Sequence, residues 1–244
     1  VRRVFSRWQF SKELAASAIH HHDPISKLRR LPSDERPQAA ITAMANELAH
    51  ALALCDGANT MIGRLDPWVE YLGVPASLIE EISSRVPDEV ETLKLALLSH
   101  TSDKVWSTAS TDLRRQLALP LRPVTIALSP ATCSFRLFAN RLADHSSNDT
   151  EAGPNLAIVY IRGKSEEEKL FADLATLERR AGDGPLPTVI IHTTAPPNTE
   201  QAMLKQRPLR MLPAPTSQQR FLEAMGDLLR GREAQPAGAL EAQV

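Results

Sequence analysis

LAIVYI, residues 156–161, is six apolar or aromatic residues in a row with no polar alternation. A run so short, rich in β-branched side chains, reads as a strand buried on both faces. Two runs of the same kind flank it, VTIALS at 124–129 and TVIIHT at 188–193, with a weaker one, LRMLP, at 209–213. Helical segments lie between them. In the longest, Ser165 and Glu168 have capping-box spacing, and Leu170, Leu174 and Leu177 share one face. Buried strands alternating with helices predict a doubly wound, parallel α/β sheet beginning at Pro120. A last helix is expected from about Thr216, burying Phe221, Leu222, Met225 and Leu229 and stopping at Gly231. Residues 233–244 read as a disordered tail.

Upstream of Pro120 the pattern is helical. No glycine precedes Gly57, and Ile41, Met44, Leu48, Leu52 and Cys55 recur at spacings of three and four. Asp66 before Pro67 suggests a helix cap and first turn, and Gly73 suits a helix stop. Pro87 followed by Asp88 and Glu89 suggests another helix start, with acidic groups at its positive end. Leu78, Ile79, Ile82, Val90, Leu93 and Leu97 are the expected buried faces of this region. The charged, proline-broken LRRLPSDERP at 28–37 reads as a loop. The expected organisation is therefore a helical bundle over 1–100, a linker helix over 101–119 and an α/β domain over 120–232. Trp8, Trp68 and Trp106 are expected as core or interface anchors, and Met44 and Met61 as core filling.

The 28 basic and 29 acidic residues almost cancel, with 14 and 15 up to Ala118 and 14 of each after it. Neither half carries the basic excess of a nucleic-acid surface. No apolar run approaches the ~20 residues of a membrane span, and no signal-peptide pattern is present. Cys55 and Cys133 are too few and too far apart for a disulfide framework. These features predict a cytoplasmic protein with neither nucleic acid nor membrane as partner. There is no GxGxxG after VTIALS and no GxxxxGK[ST], so nothing in the text is built to cradle phosphate, and no cofactor is expected.

The order PNLAIVYIRG, helix, PLPTVIIHTTA, helix, LPAPTSQQRFLEAMGDLL resembles the response-regulator receiver domain over roughly residues 121–231. The resemblance puts the phospho-acceptor position on Tyr160 and the small hydroxyl residue on Thr193. The Lys-Pro pair falls on Ala214 and Pro215, with a cis bond between them implied. The metal-holding acidic pair falls on Leu128 and Ser129, give or take one residue. Only Thr193 keeps the family identity. Phosphoryl transfer needs a carboxylate nucleophile and a metal, which these residues do not supply. The second strand and helix of the family look missing or vestigial. The resemblance thus implies a degenerate receiver, although other small doubly wound folds have the same four strands and final turn. A missing strand would also leave an open sheet edge, which makes a homodimer an expectation.

HHHDP at 20–24 invites a metal site. Successive helical residues point ~100° apart, however, and the positions four before His21 and His22 are Ser17 and Ala18. Pro24 should end the helix. His21, His22 and Asp23 are the candidate metal ligands. They are helix-end groups that pack or cap, the reading we favour, or the remnant of a divalent-metal pocket completed by a missing N-terminal segment, or, least of all, a free-standing site. The surrounding text resembles the closing portion of HDOD domains, relatives of the HD phosphohydrolases, over roughly residues 4–99. His21, His22, Asp23 and Pro24 match one motif, Ala45, Asn46, Leu48 and Ala49 a second, and Leu72 and Gly73 a third. The resemblance implies that the His-Asp doublet lies upstream, so that this domain is truncated at its N-terminus. It also implies a regulatory role in bacterial signalling, through recognition of other signalling proteins and without turnover. The alternative is a metal-dependent HD-type phosphohydrolase whose active site is incomplete in this chain.

Overall fold

The computed structural model describes residues 2–54, 60–98, 109–117, 120–143, 153–181, 184–194 and 207–233. Cys55, His100, Trp106 and the segment from residue 234 onward lie outside the described residues. The helical part comprises α1 (Arg2–Arg7), α2 (Lys12–His20), α3 (Ile25–Leu28), α4 (Arg36–Ala51), α5 (Asp66–Leu72), α6 (Ala76–Leu98) and α7 (Ala109–Gln116). A two-residue strand, β1 (Met61–Ile62), interrupts it. The α/β part runs β2 (Pro123–Ile126), α8 (Ser134–Leu142), β3 (Leu156–Ile161), α9 (Glu167–Ala181), β4 (Thr188–His192), β5 (Leu209–Pro213), β6 (Thr216–Ser217) and α10 (Gln218–Glu233).

Strands β2, β3, β4 and β5 form one parallel sheet in that spatial order, with β2 at one edge. Every residue of β3 is buried, as its unbroken apolar text requires. Strand alternation divides its side chains between two cores. Leu156, Ile158 and Tyr160 face a cluster containing Phe135 and Phe138 of α8 and Phe221 of α10. Ala157, Val159 and Ile161 face Leu170, Phe171 and Leu174 of α9. Helices therefore cover both faces, the doubly wound arrangement. Each of the three fully buried phenylalanines stabilises the fold by roughly 1.5–3 kcal/mol. At the amino ends of the strands, Arg207 makes a bidentate pair with Glu178 of α9 at 2.8 and 3.0 Å.

Several local expectations are corrected. Pro87 lies inside α6 rather than at a helix start. Arg85 pairs across it with both Glu81 and Glu89, bridging the turn that lacks an N–H donor. Ile41, Leu78 and Leu93 are exposed, because α4 and α6 each bury only a narrow face, Ala39, Ala40, Ala43, Met44, Leu48 and Ile79 among it. Ser165 and Glu168 do not form a capping box. A 3-10 turn over Lys164–Glu166 precedes α9, and Glu166 instead accepts the Arg162 N–H at 3.0 Å. Thr216 starts no helix: with Ser217 it pairs antiparallel to β1, so α10 begins two residues later and continues past Gly231. Trp68 is buried, but Trp8 is two-thirds exposed beside Phe10, and Met61 is also exposed.

The two parts share their cores. Ala53 and Ile62 belong to the cluster beneath the sheet, while Leu137 of α8 belongs to the helical cluster. Leu113 of α7 packs on the sheet-side core, so this stretch of the expected linker helix is an integral part of the fold. At the β1–β6 junction, Gln218 donates its backbone N–H to Thr60 O at 2.7 Å and its side-chain amide to His50 O at 3.0 Å.

Candidate functional site

Parallel α/β sheets place their chemistry at the carboxyl ends of the strands. Here that edge carries Leu128 and Ser129 beyond β2, Tyr160 near the end of β3, Thr193 beyond β4, and Ala214 and Pro215 beyond β5. The sequence-derived positions thus come to one edge, and the Ala214–Pro215 bond is cis, as expected. Each residue is already engaged or turned away. Thr193 donates its hydroxyl to Arg162 O at 2.7 Å and its N–H to Ile161 O. Ser129 accepts the Thr132 hydroxyl at 3.1 Å, holding a 3-10 turn, and Leu128 is exposed. Ala214 donates its N–H to His192 O at 2.8 Å.

Tyr160 decides what this edge can do. Its hydroxyl donates to Asp66 Oδ1 at 2.8 Å and accepts from Arg64 Nε at 3.1 Å. Arg64 Nη2 in turn reaches Asp66 Oδ2 at 2.6 Å. Asp66 and Arg64 both come from the helical part, 94 and 96 residues away in the chain. Asp66 is therefore a buried ion-pair partner that also receives the phenol, rather than the helix cap its Asp-Pro text suggested. Burial, followed by the charge of Asp66, pushes the Tyr160 phenol far above its ordinary range, so it stays protonated. A protonated, buried phenol that already gives its proton to a carboxylate is a poor nucleophile.

The neighbouring backbone supports this arrangement. Leu65 donates its N–H to Ser134 Oγ at 3.2 Å, and Phe135 packs on the Tyr160 ring at 5.8 Å between centroids. Arg162 reaches Glu70 of α5 at 3.6 Å. Gly63 lets the chain pass against Glu47: a Cβ there would collide with the Glu47 carboxylate. That carboxyl group is held above its ordinary value by burial, with the Gly63 N–H bond opposing. Reading the sequence residue by residue misses Arg64, Asp66 and Ser134. The one available signal was a charged pair inside the otherwise apolar MIGRLDPW.

The histidine run is organised differently. Helix α2 ends at His20, His21 caps it, and Pro24 opens α3. The His21 and His22 rings lie 3.9 Å apart between centroids, but the Nδ1 atoms of the run take separate partners. His20 Nδ1 donates to Asp23 Oδ2 at 2.8 Å, His21 Nδ1 to Ala18 O at 3.0 Å, and His22 Nδ1 accepts from Asn46 Nδ2 at 3.3 Å. Asp23 also takes Lys27, and its carboxyl group lies below its ordinary value, chiefly through the His20 bond. The Asn46–His22 bond joins α4 to the run. One turn along α4, buried His50 is held below its ordinary value by desolvation and then by the charge of His22. Among the described residues, no three His, Cys, Asp or Glu side chains converge to hold a metal.

Among the described residues, no helix is long and apolar enough to cross a membrane. Compared with models of protein families, with curated proteins and with solved structures, the chain matches none. What the fold defines is a mixed protein, helical in its first part, with a four-stranded parallel α/β sheet in its second.

Proposed function

We propose that this chain is a non-catalytic regulatory protein of a cytoplasmic, bacterial-type signalling pathway. In this reading an HDOD-like helical part is followed by a receiver-like α/β part that has lost phosphoryl chemistry. The observation that carries it is Tyr160 at the phospho-acceptor position, hydrogen-bonded beneath Asp66 and Arg64 of the helical part. The edge where a receiver would accept a phosphoryl group is occupied by the protein's own helical part. The sheet order also supports it, since removing the second strand from a receiver leaves four parallel strands in chain order.

Such a protein acts by presenting surfaces. Its partners are other signalling proteins or a second copy of itself, and the outer side of β2 is where a strand could add. The test is incubation of the purified chain with acetyl phosphate and magnesium, followed by intact mass. The expected result is no adduct. An added phosphate localised to residues 120–232 would overturn the reading.

A further inference from the structure

Where the open edge of the sheet meets the last turn of α9, a trough of about 560 Å³ is lined by Arg122, Pro123, Val124, Pro154, Leu177 and Arg180. Strand β2 supplies one wall and α9 the other, and Val124 and Leu177 lie at the margin of the core that α9 covers. Pro123, Val124, Pro154 and Leu177 are all half-buried, so the apolar floor is open along its length. The trough lies at the amino end of β2, away from the carboxyl edge that carries Tyr160.

Both of its arginines are uncompensated. Arg122 is anchored through Nε, which donates to Gly153 O at 2.9 Å, and through its backbone N–H, which donates to Asn155 Oδ1 at 2.8 Å. Its terminal nitrogens meet no carboxylate among the described residues, and neither does the exposed Arg180. Glu178, the acidic residue of α9 nearest to Arg180 in the chain, is committed to Arg207 at 2.8 and 3.0 Å. An apolar floor with two free guanidinium groups beside it suits an apolar side chain flanked by carboxylates.

Two other occupants fit less well. A symmetric contact with a second copy would gather four guanidinium groups in one interface. Pro123 also removes an N–H from the edge, which discourages pairing between identical strands. A small anion would remain largely in water, because the lining residues enclose nothing.

We propose that this trough docks an extended, acidic segment of a partner protein, laid along β2. Its apolar side chain rests on Val124, Leu177 and the two prolines, and its carboxylates reach Arg122 and Arg180. The inference rests on the reading of the chain as a recognition protein and gives the outer side of β2 a partner chemistry. A phosphate adduct would overturn that reading whatever the trough binds. Failure of the titrations below would overturn the docking edge and leave that reading in place.

The test begins with the full chain on an array of peptides of about eight residues, each position filled by Glu, Val or Lys. The strongest peptide is then titrated in solution by fluorescence anisotropy. It is expected to carry Glu on both sides of Val and to bind saturably. Arg180→Glu should weaken it about tenfold, and exchanging Glu for Lys in the peptide should restore binding to that variant. Arg180→Gln should give a smaller loss, and urea unfolding of both variants checks that the fold is kept. Saturable binding of no peptide, a preference for Lys, or unchanged affinity in Arg180→Glu would each overturn the proposal. So would displacement of the peptide by an equal concentration of inorganic phosphate, or a dimer of the chain that Arg180→Glu dissociates.

Discussion

The histidine run and the edge at Tyr160 make opposite use of polar side chains. At residues 20–24 the polar groups are adjacent in sequence but spend their ring nitrogens on separate partners, Asp23, Ala18 and Asn46. At the sheet edge, Arg64, Asp66 and Tyr160 are separated by up to 96 residues and converge on one another. Density of functional residue types along the chain is thus a poor guide to a site. Adjacent side chains can each take a different partner, whereas a fold brings distant ones together to share one. The first cluster finishes a helix; the second joins the two parts of the molecule.

That contrast sets the scale of what mutation should do. Asp66→Ala leaves Arg64 and the Tyr160 hydroxyl without their shared acceptor. The expected loss in urea unfolding is about 3 kcal/mol, at the low end for a broken buried pair because Arg64 is one-third exposed. A loss below that of an ordinary surface substitution would break the comparison. Tyr160→Phe keeps the ring against Phe135 and removes only the hydroxyl, so the expected loss is about 1–1.5 kcal/mol.

His50 should reveal itself as a pH slope rather than a fixed loss. Its folded pKa lies below the ordinary 6.5 because burial disfavours the charged ring. As the pH falls through 6.5, the unfolded chain takes up a proton that the folded chain refuses, and stability declines. His50→Gln should flatten that part of the stability-versus-pH curve; an unchanged slope would assign it to other groups. The smallest effect belongs to the histidine run. Asp23, lowered from 3.8 by His20, contributes stability above that value that is lost as the pH falls through its folded pKa. Asp23→Asn should cost under about 1 kcal/mol near neutrality and nothing in strong acid. A larger cost near neutrality would mean that the run is structurally more than a helix end.

Strand positions were legible because a buried parallel strand writes itself as a local apolar run. LAIVYI and LRMLP coincide with β3 and β5, and TVIIHT differs from β4 by one residue. Gly73 was legible too, since its φ of 64° is the left-handed stop that glycine permits. Errors arose where a local signal had a competing use. Asp66-Pro67 has cap spelling, but the carboxylate is taken by Arg64 and Tyr160. Pro87 has start spelling, but paired charges on both sides carry the helix through it. Thr216 reads as a helix start, but it pairs with Ile62, more than 150 residues away, while Ser217 accepts the Arg220 N–H at 3.2 Å at the start of α10. Such pairings leave no periodic trace. For the same reason, the contact of the helical part with the sheet edge through Arg64, Asp66 and Tyr160 was not legible in the sequence.

The most direct test of that closure is a double-mutant cycle between Asp66 and Tyr160, with Asp66→Ala, Tyr160→Phe and the double variant compared by urea unfolding. If the helical part closes the sheet edge through this contact, the two changes should be coupled by about 1–2 kcal/mol. Additivity within about 0.5 kcal/mol would contradict it, because residues that share no interaction lose their stability independently.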